Sequence, residues 1–125
     1  MRHRAAIKKL LDSHVVEAKS VDEHLRLLDS ISSKYPVARL AKEVVTLKAL
    51  SDPMRLKILR ALAERKMCVC EIEYISGLSQ PTVSYHLKIL VSAGVLKRVE
   101  KGKWSLYSIA NEKVTCLLKA LDDIL

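Results

Sequence analysis

Apolar residues recur along the chain at helical spacing, interrupted at a few defined places. Ile7, Leu10, Leu11 and Val15 fit one amphipathic stripe near the amino end. Leu25, Leu28 and Ile31 fit a second, after the acidic start "SVDEH". The pattern breaks at "SSKYP", where Pro36 disfavours helix at Tyr35. A longer run then places Leu40, Val44, Leu47 and Leu50 on one face. "SDPMRLKILRALAE" carries strong start signals, since Ser51 or Asp52 can cap free amides and Pro53 suits the first turn. Ile58, Leu59 and Leu62 supply its core face. "CVCEIEYISGL" predicts a short helix stopped by Gly77. "SQPTVSYHLKILVSAG" predicts another, capped at Ser79, with Pro81 in its first turn and Gly94 at its stop.

Two short helices joined by a Gly-containing turn make a helix-turn-helix. After them, Val95, Val99, Trp104, Leu106 and Ile109 fall in two β-prone runs separated by "EKGK", which predicts a basic hairpin, or wing. The last segment carries a stripe of Val114, Leu117, Leu118, Leu121 and Leu125. A terminal apolar helix in so small a protein needs a cover, and a second subunit is a natural one. The expected fold is therefore mostly α with a small β-hairpin: a dimeric winged helix-turn-helix.

Length and charge narrow the function. At 125 residues and 50% hydrophobic the chain suits one compact soluble domain, and it holds no apolar stretch of the roughly 18 residues that could span a membrane. The charged start "MRHRAAIKKLLDSH" lacks a secretory h-region, so a cytoplasmic location is expected. The net charge of +8 favours a polyanionic partner. Residues 79 to 103 concentrate that excess, with five bases against one acid. The second helix of a helix-turn-helix enters the DNA major groove by its amino end. Ser79, Gln80, Thr82, Ser84 and His86 lie there and can bond to bases or phosphates, while Lys97, Arg98, Lys101 and Lys103 can meet phosphates from the wing. A thiol redox enzyme is disfavoured, since the chain has neither a βαβ pattern nor Cys-x-x-Cys.

Three stretches, "LKALSDPMRLKILRAL", "MCVCEIEYISGLSQPTVSYHLKILVSAGVLKR" and "GKWSLYSI", resemble the arsenic-repressor type (ArsR/SmtB) of winged-helix transcriptional regulators in order and spacing. The resemblance covers residues 45–121. It implies a homodimer that reads an imperfect inverted repeat in double-stranded operator DNA and represses transcription until an inducer binds. Residues 1–43 would form an amino-terminal helical arm. Residues 44–125 would form the DNA-binding domain with a carboxy-terminal dimerisation helix.

In that family "CVC" at this position supplies two sensor ligands, and Cys68 and Cys70 match it. Thiolates suit arsenite, antimonite, cadmium, lead or zinc. Residues i and i+2 of a regular helix point to nearly opposite sides, so joint chelation requires Cys68 to precede the helix or a local distortion. The third ligand departs from the pattern. Glu73 stands where arsenic sensors often place a further Cys, and the arm offers His3, His14 and His24 but no Cys. Cys116 or His14 is the candidate third ligand. The zinc site some members build on the terminal helix is not expected here, with Asn111, Lys113 and Ile124 in its positions. Two other readings stay open: a regulator of this type that responds to oxidation or to no effector, and a sequence-neutral architectural DNA-binding protein.

Overall fold

The computed structural model describes residues 3–125, in two compact units that divide between Ala41 and Lys42. In the first unit, α1 (Arg4–Asp12) and α2 (Val21–Lys34) are tied by Arg4, whose guanidinium donates to Asp22 at 2.7 Å. That hydrogen bond, with the Arg4 charge behind it, holds the Asp22 carboxyl below the usual aspartate range. Ser20 caps α2 by accepting from the Glu23 amide. The stripe of α1 ends at Leu11: Val15 lies beyond the helix and is exposed, because the chain turns through His14 at a φ of 59°.

Pro36 separates α2 from α3 (Val37–Leu50), as the sequence predicts. Asp52, rather than Ser51, caps α4 (Pro53–Glu64), accepting from the Arg55 amide at 3.0 Å. The Ser51 hydroxyl instead donates back to the Leu47 carbonyl. A two-residue strand follows, β1 (Met67–Cys68), and then α5 (Val69–Ser76). Gly77 ends α5 at φ 72°, the left-handed conformation that costs glycine least, and its amide bonds the Glu73 carbonyl.

The remaining elements are α6 (Gln80–Ser92), β2 (Leu96–Lys101), β3 (Trp104–Ile109) and α7 (Glu112–Ile124). Strands β2 and β3 form the expected hairpin, with Lys101 opposite Trp104 across a two-residue turn opened by Gly102 at φ 62°. The sheet is larger than the hairpin that the sequence suggests. β1 pairs antiparallel with the far edge of β3, giving the order β1-β3-β2.

The core lies in the second unit. Ile58, Leu59 and Leu62 of α4 meet Ile72 of α5, Val83, Leu87 and Leu90 of α6, and Leu118 of α7. Burial of each such aliphatic side chain contributes roughly 1.5–3 kcal/mol, so this cluster fixes the mutual placement of α5 and α6. Among the described residues no helix is long and apolar enough to cross a membrane.

Candidate functional site

Cys68 still has extended backbone, at φ −86° and ψ 169°, because β1 pairs it with Leu106. Cys70 already lies in the first turn of α5. The change from strand to helix between them brings together side chains that a continuous helix would separate. Their sulfurs are 3.0 Å apart, in hydrogen-bond contact and beyond the length of a disulfide, and both thiols are free.

Glu71 closes the start of α5. One carboxylate oxygen accepts from the Cys68 amide at 3.0 Å and from the Cys68 thiol at 3.3 Å. Those two hydrogen bonds, the amide first, hold the Glu71 carboxyl below the ordinary glutamate range. Hydrogen bonding to Cys68, with desolvation after it, pushes the Cys70 thiol above the ordinary cysteine range. The pair is thus soft and close-set, and it must lose protons to bind an ion.

Among the described residues no group of three or more His, Cys, Asp or Glu side chains is arranged to hold a metal. Cys116 is exposed on α7. His14 sits in the first unit, in a depression with Leu11, Val16 and Glu17. His3 and His24 belong to the same unit, and Glu73 lies further along α5. What does wall the thiols was missed by sequence reasoning: Trp104 and Leu106 of β3, with Lys101 of β2.

On α6, Ser79, Gln80 and Ser84 are exposed and Thr82 is half-buried. Ser79 does not cap an amide with its side chain, and its hydroxyl instead shares a 3.0 Å hydrogen bond with that of Thr82. His86 is half-buried, and its Nδ1 lies 3.2 Å from an Arg55 guanidinium nitrogen. Arginine only donates, so Nδ1 accepts and Nε2 is left for another partner. Arg55 also donates to the carbonyls of Ala49 and Lys48, which anchors the middle of α6 to the junction of α3 and α4.

Lys97, Lys101 and Lys103 are exposed on the wing. Arg98 is exposed too, but it bonds Glu100 at 2.7 Å and the Ser105 hydroxyl at 2.9 Å. An open depression between α6 and the wing is lined by Ser84, Lys88, Arg98 and Tyr107. Lys88 joins the candidate anion contacts through helical spacing, lying one turn beyond Ser84 on the same face. Tyr85 is also exposed on α6, two positions beyond the buried Val83.

Residues 52–98, from the cap of α4 into the wing, match the family described as "Bacterial regulatory protein, arsR family". An HTH-type transcriptional regulator of Methanocaldococcus jannaschii is 44% identical over 78 residues, which make up 62% of this chain and 88% of that protein. The arsenical resistance operon repressor of Bacillus subtilis is 44% identical over 72 residues, 57% of this chain and 69% of the relative. Among solved structures, a homodimeric winged helix-turn-helix DNA-binding domain from Mycobacterium bovis superposes with a TM-score of 0.68 at 30% identity, covering 72% of this chain and 83% of that one.

Proposed function

The chain belongs to the arsR family of bacterial regulatory proteins and is a winged helix-turn-helix DNA-binding transcriptional repressor; from that premise we propose that Cys68 and Cys70 form its inducer site. The observation that carries this reading is the 3.0 Å pairing of the two thiols at the start of the first helix of the helix-turn-helix. A thiophilic metal or metalloid, such as As(III), cadmium, lead or zinc, would take both thiolates.

The DNA-bound form is a homodimer on an imperfect inverted repeat. Ser79, Gln80, Thr82 and Ser84 present hydrogen-bonding groups at the amino end of α6, where a recognition helix meets base edges. Lys97, Lys101 and Lys103 supply phosphate contacts, and Arg98 joins Lys88 across the depression beside α6. His86 reaches the duplex through Nε2 while Arg55 holds its other nitrogen. Residues 1–43 serve as a helical arm, and α7 contributes to the dimer interface.

Release follows from linkage. An inducer that binds the DNA-free form more tightly must weaken DNA binding by the same factor. Cys68 ends β1, so drawing the sulfurs onto one ion acts on β3 through the sheet and on α5 directly. The test is titration of the reduced protein with arsenite, cadmium, zinc and lead, following thiolate-to-metal absorption and release from its own promoter DNA. Cys68→Ser and Cys70→Ser should retain DNA affinity and lose induction. Loss of DNA binding in both would make the thiols structural. The same close pairing also favours a second reading, reversible oxidation: peroxide rather than any ion would then release the DNA.

A further inference from the structure

Three elements meet at the side chain of Arg55. Its Nε donates to the Ala49 carbonyl at 2.6 Å and one terminal nitrogen donates to the Lys48 carbonyl at 3.3 Å, both in the last turn of α3. The other terminal nitrogen donates to Nδ1 of His86, on α6, at 3.2 Å. Carbonyls at a helix end lack partners in their own helix, so Arg55 serves two of them while it reaches α6. Among the described residues no hydrogen bond joins α3 to α6 directly. Their boundary is otherwise a groove whose apolar lining includes Val45, Ala49 and Ile89. Apolar contact is non-directional and lets one helix turn against another, whereas a hydrogen bond holds its partners within narrow limits of distance and angle.

From this geometry, and resting on the reading that α6 enters the major groove, we infer that Arg55 is a positioning residue for DNA recognition, holding α6 against α3 only while His86 is neutral. Nδ1 accepts from Arg55 through a lone pair that an imidazolium lacks, since both of its ring nitrogens donate. Protonation therefore sets two cationic N–H groups against each other across 3.2 Å, and the tie opens. The groups around the ring divide. Asp52 caps α4 at the same junction, and its carboxyl is held down first by the Arg55 amide and to a lesser degree by His86, so it favours the imidazolium. Arg55 opposes it, α3 presents the Lys48 and Ala49 carbonyls, and Tyr85 of α6 lies beside the ring at 5.6 Å between centroids. Histidine changes charge between about pH 5 and 8, so the tie holds at the upper end of that range and is lost toward the lower. A histidine that merely touched phosphate would act with the opposite sign, because its charged form attracts the duplex more strongly.

The experiment is anisotropy titration of promoter DNA with the full reduced chain at about pH 7.5 and about pH 5.5, with salt held constant. Acidification is expected to weaken binding by about fivefold or more, the effect of one net hydrogen bond. His86→Gln supplies an amide oxygen that can accept from Arg55 and does not titrate, so it should bind at both pH values as the parent does at the higher one. Arg55→Ala should bind more weakly than the parent at the higher pH, lose the fall on acidification, and keep its helical circular dichroism. If Arg55→Ala fails to fold, the parent and His86→Gln decide the matter alone. Parent affinity that rises or stays level on acidification, or a fall that persists in His86→Gln, overturns the inference. Gln80→Ala and Ser84→Ala then judge the underlying reading: weakened promoter binding in them keeps α6 as the recognition helix, and unchanged binding removes it too.

Discussion

Cys68 and Asp52 share a backbone conformation and differ in what they attach to it. Both are extended residues immediately before a helix, at a position whose side chain faces the free amides of the first turn. Asp52 uses that place for stability. Its carboxylate accepts from the Arg55 amide, and this hydrogen bond holds its pKa below the ordinary aspartate value. A carboxyl with a depressed folded pKa stabilises the fold above its unfolded pKa, near 3.9, and loses that contribution as pH falls through the lower folded value. Asp52→Ala should therefore unfold at lower urea concentration than the parent at pH 7, and the gap should close as pH drops below about 4. Cys68 has a glutamate reach back to its amide instead, and its sulfur, besides bonding that carboxylate, meets the sulfur of Cys70. For contrast, Leu59 is fully buried, and Leu59→Ala should cost about 2–5 kcal/mol in urea unfolding. The exposed Cys70, changed to Ser, should leave the unfolding midpoint where it was.

At the scale of elements, legibility followed the range of the interaction. Helix caps and stops are local: Asp52-Pro53, Pro36 and Gly77 could be read because each acts within one turn of its own position. β1 could not. Two residues carry no alternation, and Met67–Cys68 is a strand only because β3, far along the chain, offers Tyr107 and Leu106 as partners. The convergence of Cys68 and Cys70 depends on that strand, and so does the placing of Trp104 and Lys101 beside them. The sequence thus displays the thiols as a condition, extended chain at Cys68, and only the sheet register meets it. The wing adds a similar non-local constraint. Arg98 looks like a free phosphate ligand but is paired with Glu100. An exposed pair of this kind contributes at most about 1 kcal/mol, so it restrains Arg98 without locking it. Glu100→Gln should release Arg98 and strengthen binding to promoter DNA. The plot of log affinity against log salt should steepen by at most about 0.9, the value of one complete phosphate contact, as Arg98 turns wholly to the duplex. Lys103→Ala should flatten the same plot by a similar amount, which anisotropy titrations at several salt concentrations would show.

At the scale of the whole molecule, α7 is one of the elements left incomplete by a single chain. Leu118 is buried against the core and Val114 and Leu121 pack beside it, yet Leu117 is 40% exposed, Ile124 78% and Leu125 fully so. In the second unit Val44, Val45 and Leu47 of α3 are exposed as well. A monomer seldom leaves so many large apolar side chains open unless something covers them, and the proposed homodimer supplies a second copy of the same surface. The charge pattern argues the same way. One wing offers only a few cations, whereas two wings double the phosphate contacts and place recognition helices on half-sites about one helical turn apart. Leu117→Glu puts a charge on the outward side of α7 without touching the buried Leu118. It should convert the dimer to monomer in sedimentation velocity and retain helical circular dichroism. Promoter affinity should fall by at least a hundredfold, with the salt dependence roughly halved as one subunit's phosphate contacts are lost. A Leu117→Glu protein that stays dimeric would move the interface away from α7, and Leu47→Glu would then test the exposed face of α3 by the same measurement.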